Sequence, residues 1–248
     1  MQKLILLVLF SSFVFASSFA QNSKAYTYYL SGIAYKNKSK FPEAHVAFKK
    51  AIALDKKLDS AYVEIGFLNM RTSKYDSASY NFYKALSINR EYVMAYYGLG
   101  LLFRDSKAKY DSSILCFSMV LGIDSTRNLR DDSIHRISYY SIAWCYNTLK
   151  NYDKAIYYAA KALEVDNNYR PAYGELGHAF HASQKYEEAV IQFKKNIAIS
   201  PVDLSIFYLG MVYNEMKNKE AAWQQVEALK PLNPRLAESL KKNIEKSK

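Results

Sequence analysis

Small and apolar residues recur along the chain at steps of three and four, and the whole pattern returns after about 34 residues. AYTYYLSGIAYKN (25–37), DSAYVEIGFLNMR (59–71) and VMAYYGLGLLFRD (93–105) align with Gly32, Gly66 and Gly100 in register, 34 residues apart at each step. RISYYSIAWCYNT (136–148), RPAYGELGHAFHA (170–182) and DLSIFYLGMVYNE (203–215) extend the series, with Ala143, Gly177 and Gly210 in the same place. In each, an aromatic or Ile stands four residues before the small one and usually a bulky residue three after it. Those offsets fall on one face of an α-helix.

Between these segments lies a second type: KFPEAHVAFKKAIAL (40–54), KYDSASYNFYKALSI (74–88), KYDSSILCFSMVLGI (109–123), NYDKAIYYAAKALEV (151–165) and KYEEAVIQFKKNIAI (185–199). Acidic residues near their starts suit the positive end of a helix dipole, and Pro42 is tolerated in a first turn, where its missing N–H has no intrahelical partner. Two alternating helical segments at this period predict helix-turn-helix units that stack, since no single pair can bury its apolar face alone.

The positions resemble the tetratricopeptide repeat family. Counting from the start of each first helix, that family places a small residue at position 8, Tyr or a bulky group at 11, Ala at 20, a large residue at 24, Ala at 27 and often Pro at 32. Repeat one fits with Gly32, Tyr35, Ala44, Phe48 and Ala51, and repeat two with Gly66, Ala78, Phe82 and Ala85. Repeat three fits with Gly100, Phe103 and Phe117 but carries Ser113 in place of Ala; repeat four fits with Ala143, Tyr146, Ala155 and Ala162. Repeat five fits with Gly177, Phe180, Ala189, Phe193 and Pro201, and repeat six with Gly210, Tyr213, Ala222 and Pro234. The resemblance implies an all-α fold, a right-handed α-solenoid (superhelix) of about six helix-turn-helix repeats plus a C-terminal capping helix. Its repeats fall near 25–58, 59–92, 93–127, 136–169, 170–202 and 203–236, with an insertion at 128–135.

The insertion is where the 34-residue step fails. Asp131-Asp132-Ser133 is a strong helix start, so the extra residues are expected to form a loop and an added first turn on the fourth repeat. Beyond Pro231 and Pro234, Leu236, Leu240 and Ile244 recur at four-residue steps, as expected of an amphipathic cap over 237–248 with lysines facing water.

The N-terminus follows another logic. Lys3, the apolar run Leu4 to Phe10 and the small residues Ser18 and Ala20 predict a secretory signal peptide over 1–20, followed by a short lead at 21–24. No later stretch is long and apolar enough to span a membrane, so an integral membrane protein is not expected. The expected location is therefore periplasmic or secreted. The net charge of +11 then points to anionic surfaces or acidic partners of the cell envelope, or simply to a solvated lysine-rich surface, in place of nucleic acid. Cys116 and Cys145 fall on neighbouring helices of an exported chain, which allows a disulfide, although two buried thiols are the expected state.

No phosphate loop, nucleophile elbow or zinc-spaced ligand set is present, so neither catalysis nor a cofactor is expected. The family resemblance implies binding of a protein or peptide in a concave groove, through first-helix positions 2, 5, 9 and 12. In the first repeats these are Tyr26, Tyr29, Ile33 and Lys36, then Val63, Phe67 and Met70. Next come Tyr97, Leu101 and Arg104, then Tyr140, Trp144 and Asn147. His178, His181, Phe207, Met211 and Asn214 complete the set. With Tyr29, Val63 and Tyr97 at position 5, the Lys and Asn of the clamp that chaperone-binding members use for a C-terminal carboxylate are missing. Glu175, His178 and His181 stand at three-residue steps on one helix, a weak metal pattern for which ordinary polar groove residues are the expected reading. The resulting expectation is an exported, non-enzymatic scaffold or adaptor; the alternative is an envelope protein that holds an anionic polymer or lipid headgroup on its basic surface.

Overall fold

The computed structural model describes residues 22–105, 109–127, 132–201 and 203–247. The expected signal peptide over 1–20 and residues 128–131 of the expected insertion lie outside them. All the regular structure among the described residues is helical: α1 (22–37), α2 (Phe41–Leu54), α3 (Asp59–Arg71), α4 (Tyr75–Ile88), α5 (Val93–Asp105), α6 (Tyr110–Arg127), α7 (Asp132–Thr148), α8 (Tyr152–Val165), α9 (Arg170–Ala182), α10 (Tyr186–Ile199), α11 (Asp203–Glu215), α12 (Lys219–Leu229) and α13 (Pro234–Lys246). The odd-numbered helices up to α11 are the first-helix segments, and the even-numbered ones are the second. The chain divides at Ser106/Lys107 into two compact units, inside the third repeat.

Both units are tetratricopeptide-type stacks of helix pairs. In the first, α3 packs on α2, α4 and α5; in the second, each first helix packs on its own second helix and on the next first helix, from α7 through α9 to α11. The glycines explain how close the pairs come. A Cβ on Gly32 would lie 2.5 Å from the Phe48 ring, and one on Gly66 would lie 2.6 Å from Phe82. Gly98, on α5, meets the other side of Phe82 at 2.4 Å, so one fully buried ring fills the space between two successive first helices. Such a ring removes a large apolar area from water, worth about 1.5–3 kcal/mol.

The turns inside the repeats are equally regular, but glycine plays no part in them. Ser39, Ser73, Lys150, Gln184 and Lys217 all hold φ between 56° and 62°. After each, a backbone N–H reaches back over the helix end: Lys40 to Tyr35 O, Lys74 to Asn69 O, Asn151 to Tyr146 O, Lys185 to Phe180 O and Asn218 to Tyr213 O, at 2.8–2.9 Å. This is the Schellman closure, with side-chain-bearing residues in the left-handed site usually taken by Gly. Asn151 and Asn218 then cap the following helix by accepting from Lys154 N and Ala221 N, whereas Lys40, Lys74 and Lys185 make no side-chain cap.

The insertion is shared between two helices. α7 runs for 17 residues where α3, α5, α9 and α11 have 13, which supplies the expected added turn. α6 runs for 18 where α2, α4, α8 and α10 have 14, an extension the sequence did not suggest. At the other end, α13 buries Ala237, Leu240 and Ile244 against α11 and α12. The second helix of repeat six offers Val226 where repeats one, two and five have Phe48, Phe82 and Phe193, and the gap over Gly210 is closed by Leu240, whose Cδ2 would stand 2.3 Å from a Cβ there. The cap thus completes the last repeat.

No helix among the described residues is long and apolar enough to cross a membrane. Cys116 and Cys145 are both buried, and neither is joined in a disulfide.

Candidate functional site

In the first unit the expected groove residues form two aromatic groups. Tyr26, 54% exposed, stacks on Tyr29 at 5.9 Å, and Tyr29 in turn leans on Phe48 at 5.8 Å. Phe67 sets its edge to Phe82 at 5.2 Å and lies 6.5 Å from Tyr97. Met70 and Leu101 are half-buried on the same helices, Val63 is buried in the core, and Arg104 pairs with its neighbour Asp105. Lys36 does not stand free for a ligand: its Nζ binds Glu64 Oε2 of the next first helix at 2.7 Å.

One residue beside this row was not expected. Tyr92, from the link between α4 and α5, has its phenol pushed up to about 12, first by burial and then by Asp59, Tyr29 and Glu64. The same burial and the same Glu64 raise Tyr29. The phenols therefore stay protonated and can donate hydrogen bonds at any physiological pH. In the second unit Tyr169 occupies the equivalent link position, edge-on to Tyr140 at 5.8 Å. Arg136 lies over its ring at 5.2 Å while bonding Asp166 at 2.7 Å. A tyrosine closing the link is a signal that comparison of repeats two and four contains.

The second unit gathers its groove residues more tightly. Trp144 and Asn147 from α7, with His178 and His181 from α9, line a recess of about 370 Å³ together with Thr148, Tyr152, Glu175 and Ala182. Tyr110 braces Trp144 edge-on at 5.6 Å. Asn147 donates from Nδ2 to the main-chain oxygen of Glu175 at 3.0 Å and to its Oε2 at 2.7 Å, while its buried Oδ1 has no partner. His178 is clamped between Phe193 at 5.5 Å and Tyr208 at 4.2 Å; burial, and then His181, push its pKa down to about 4, so it is neutral at pH 7. His181 Nε2 lies 3.0 Å from Glu215 Oε2 on α11. Phe207 and Met211 are half-buried against the core under α13, and Asn214 reaches toward Asn243 O at 3.5 Å.

Glu175, His178 and His181 thus turn to three different partners. Among the described residues no group of three or more His, Cys, Asp or Glu side chains is placed to hold a metal ion. The recess has aromatic walls, a neutral imidazole and a carboxylate already committed to Asn147. It can grip an extended backbone or an apolar side chain.

The family profile described as the tetratricopeptide repeat matches residues 137–169 and 171–203, the two repeats that build this recess. The chain carries tetratricopeptide repeats. Its fold is similar to that of PilW, a widely conserved type IV pilus biogenesis factor, with a TM-score of 0.71 at 17% identity over 85% of this chain and 94% of that one. PilF of Pseudomonas aeruginosa superposes with a TM-score of 0.75 at 14% identity, over 90% of this chain and 99% of that one. YrrB, described as a tetratricopeptide repeat protein with an unusual peptide-binding site, gives 0.65 at 23% identity, over 79% and 98%. No curated protein matches significantly. At these identities the likeness is one of fold. The tetratricopeptide architecture accounts for the small-on-aromatic packing, while the identities of Trp144, Asn147, His178 and His181 belong to this chain.

Proposed function

We propose that this tetratricopeptide repeat protein is an exported, non-enzymatic adaptor that binds an extended protein segment along its first helices, within an assembly of the cell envelope. The observation that carries the reading is the recess of about 370 Å³ around Trp144, Asn147, His178 and His181. Large aromatic surfaces held in place by neighbours, with a few polar groups between them, are what interface anchors require. Tyr110, Phe193 and Tyr208 already fix Trp144 and His178, so little side-chain freedom is lost on binding. The signal-peptide pattern at 1–20 supports export, and the similarity in fold to PilW, a type IV pilus biogenesis factor, is compatible with an envelope role.

A photo-crosslinking amino acid placed at exposed Thr148 tests the reading. Illumination of native cells should trap one discrete protein partner there, and Trp144→Ala in the same background should reduce the trapped band. A probe at exposed Tyr157 on α8 should trap little. Equal trapping at the two positions, or none at Thr148, would overturn the assignment.

A second reading rests on a different repeated feature. Val46, Tyr80, Tyr157 and Ile191 are 50–59% exposed on second helices, each followed four residues later by a lysine: Lys50, Lys84, Lys161 and Lys195. Such apolar-and-lysine pairs suit an anionic lipid or polymer surface. Co-sedimentation with anionic vesicles that collapses with salt and is indifferent to Trp144→Ala would favour this alternative.

A further inference from the structure

A place in the first unit breaks the packing rule that the other repeats keep. At the eleventh position of the first helix these carry Tyr35, Phe103, Tyr146, Phe180 and Tyr213. In the second unit such rings fill space beside the second helix: Tyr146 stacks on Tyr158 at 5.6 Å, and Phe180 packs into the cores on either side of it. Repeat two has Asn69 instead. It is only 8% exposed, and its side-chain amide takes part in no hydrogen bond among the described residues.

Where the aromatic ring is missing, a cleft of about 690 Å³ opens between α2 and α4, with α3 beneath it. Asn69 lines it, on the side of α3 turned away from Val63, Phe67 and Met70. Ile52 and Ile65 give the cleft apolar walls, and Lys49 and Lys74 stand at it as cations, against the one carboxylate of Asp76 among its lining residues. The positive field is felt by His45, also in the lining, whose pKa is lowered first by burial and then by Lys49 and Lys74. The amide faces the open cleft, and a ring at this position would have filled part of it. Local rules are broken in this way where a ligand supplies the missing contacts. The size falls in the range of roughly 300–1,000 Å³ usual for small-molecule sites.

We infer that this cleft is a binding site for a small amphiphilic anion, a carboxylate or sulfonate on an aromatic or branched apolar body. The apolar body takes the place of the absent ring against Ile52 and Ile65. The anionic group sits between Lys49 and Lys74, and a polar atom of the ligand meets the amide of Asn69. The site is separate from the recess of the second unit and does not depend on the adaptor reading.

Two fluorescent probes that differ in charge provide the test: 8-anilinonaphthalene-1-sulfonate and its neutral counterpart N-phenyl-1-naphthylamine. Full-length protein should bind the sulfonate saturably, one per chain. Asn69→Phe, which restores the ring, should weaken both probes at least tenfold while the thermal midpoint stays level or rises. Lys49→Gln with Lys74→Gln, two exposed changes that leave the packing intact, should weaken the sulfonate about fivefold and leave the neutral probe unchanged. Absence of saturable binding by the parent protein, unaltered binding by Asn69→Phe, or an equal effect of the lysine changes on both probes would overturn the assignment. Should Asn69→Phe fail to fold, the lysine pair decides alone.

Discussion

A Cβ built on Gly177 would stand 2.6 Å from Cε1 of Phe193, so the buried ring occupies the space that a methyl group would take. Contacts this short force one of the two to move, and neither helix can yield without opening the pair. Gly177→Ala is therefore expected to destabilise the second unit by about 1 to 3 kcal/mol despite the better helix propensity of Ala. A Cβ built on Gly122 of α6 would meet nothing within 4 Å, and Gly122→Ala should gain up to about 1 kcal/mol. Chemical denaturation of the two variants reads both signs, and Phe193→Leu added to Gly177→Ala should return part of the loss.

The left-handed turn residues give a prediction of opposite sign. Ser73 and Lys150 hold φ of 56° and 59°, a conformation in which a side chain costs roughly 1–2 kcal/mol relative to Gly. Ser73→Gly and Lys150→Gly should each stabilise by about 0.5 to 1 kcal/mol once the greater freedom of Gly in the unfolded chain is deducted. Ser118→Gly, at an exposed position within α6, should lose about 0.5 kcal/mol and serves as the control. Thermal midpoints that fell in the turn variants would contradict the Schellman assignment.

His178 makes stability depend on pH. Its folded pKa of about 4 lies below the value of 6.5 for a free imidazole, so between these values the unfolded chain binds more protons than the native one. Stability is then complete above about pH 6.5 and is lost as the pH falls toward 4. Compared with His178→Gln, the natural chain should lose about 2 to 3 kcal/mol more between pH 7.5 and pH 4.5, as measured by urea unfolding. Parallel curves for the two proteins would show that the imidazole is not buried as described.

The two cysteines should be silent until the protein unfolds. Cys145 is fully buried, and burial pushes the Cys116 thiol up to about 11, so almost no thiolate exists at pH 8. A chromogenic disulfide reagent should label neither in native protein and both in urea. Rapid labelling of the native chain would contradict their burial.

The fold could be read from the sequence because its determinants are local and repeated: a small residue facing a large one at fixed offsets fixes each helix pair, and the period fixes the stack. The left-handed turns escaped notice because Ser, Lys and Gln stand where Gly would have signalled them. The groove was expected as a row of first-helix residues from repeat position alone, and the structure places Trp144, Asn147, His178 and His181 around one recess. What could not be read was how neighbouring repeats share polar groups. Lys36 with Glu64 and Asn147 with Glu175 are pairs 28 residues apart. They depend on the side-chain directions of two successive first helices, which no single repeat contains. Tyr92 and Tyr169 lie in links, where helical periodicity carries no information.

Leu240 over Gly210 also bears on how such a chain can grow. In repeats one, two and five a Phe of the second helix covers its own glycine, so such a unit can be copied and each copy brings its own cover. Repeat six has Val226 and borrows its cover from α13. A new repeat inserted between them would leave Gly210 facing a void unless residue 226 became aromatic at the same time. Duplication of an inner repeat requires no such coincidence, so changes in the length of this array are expected to begin in the middle and not at the end.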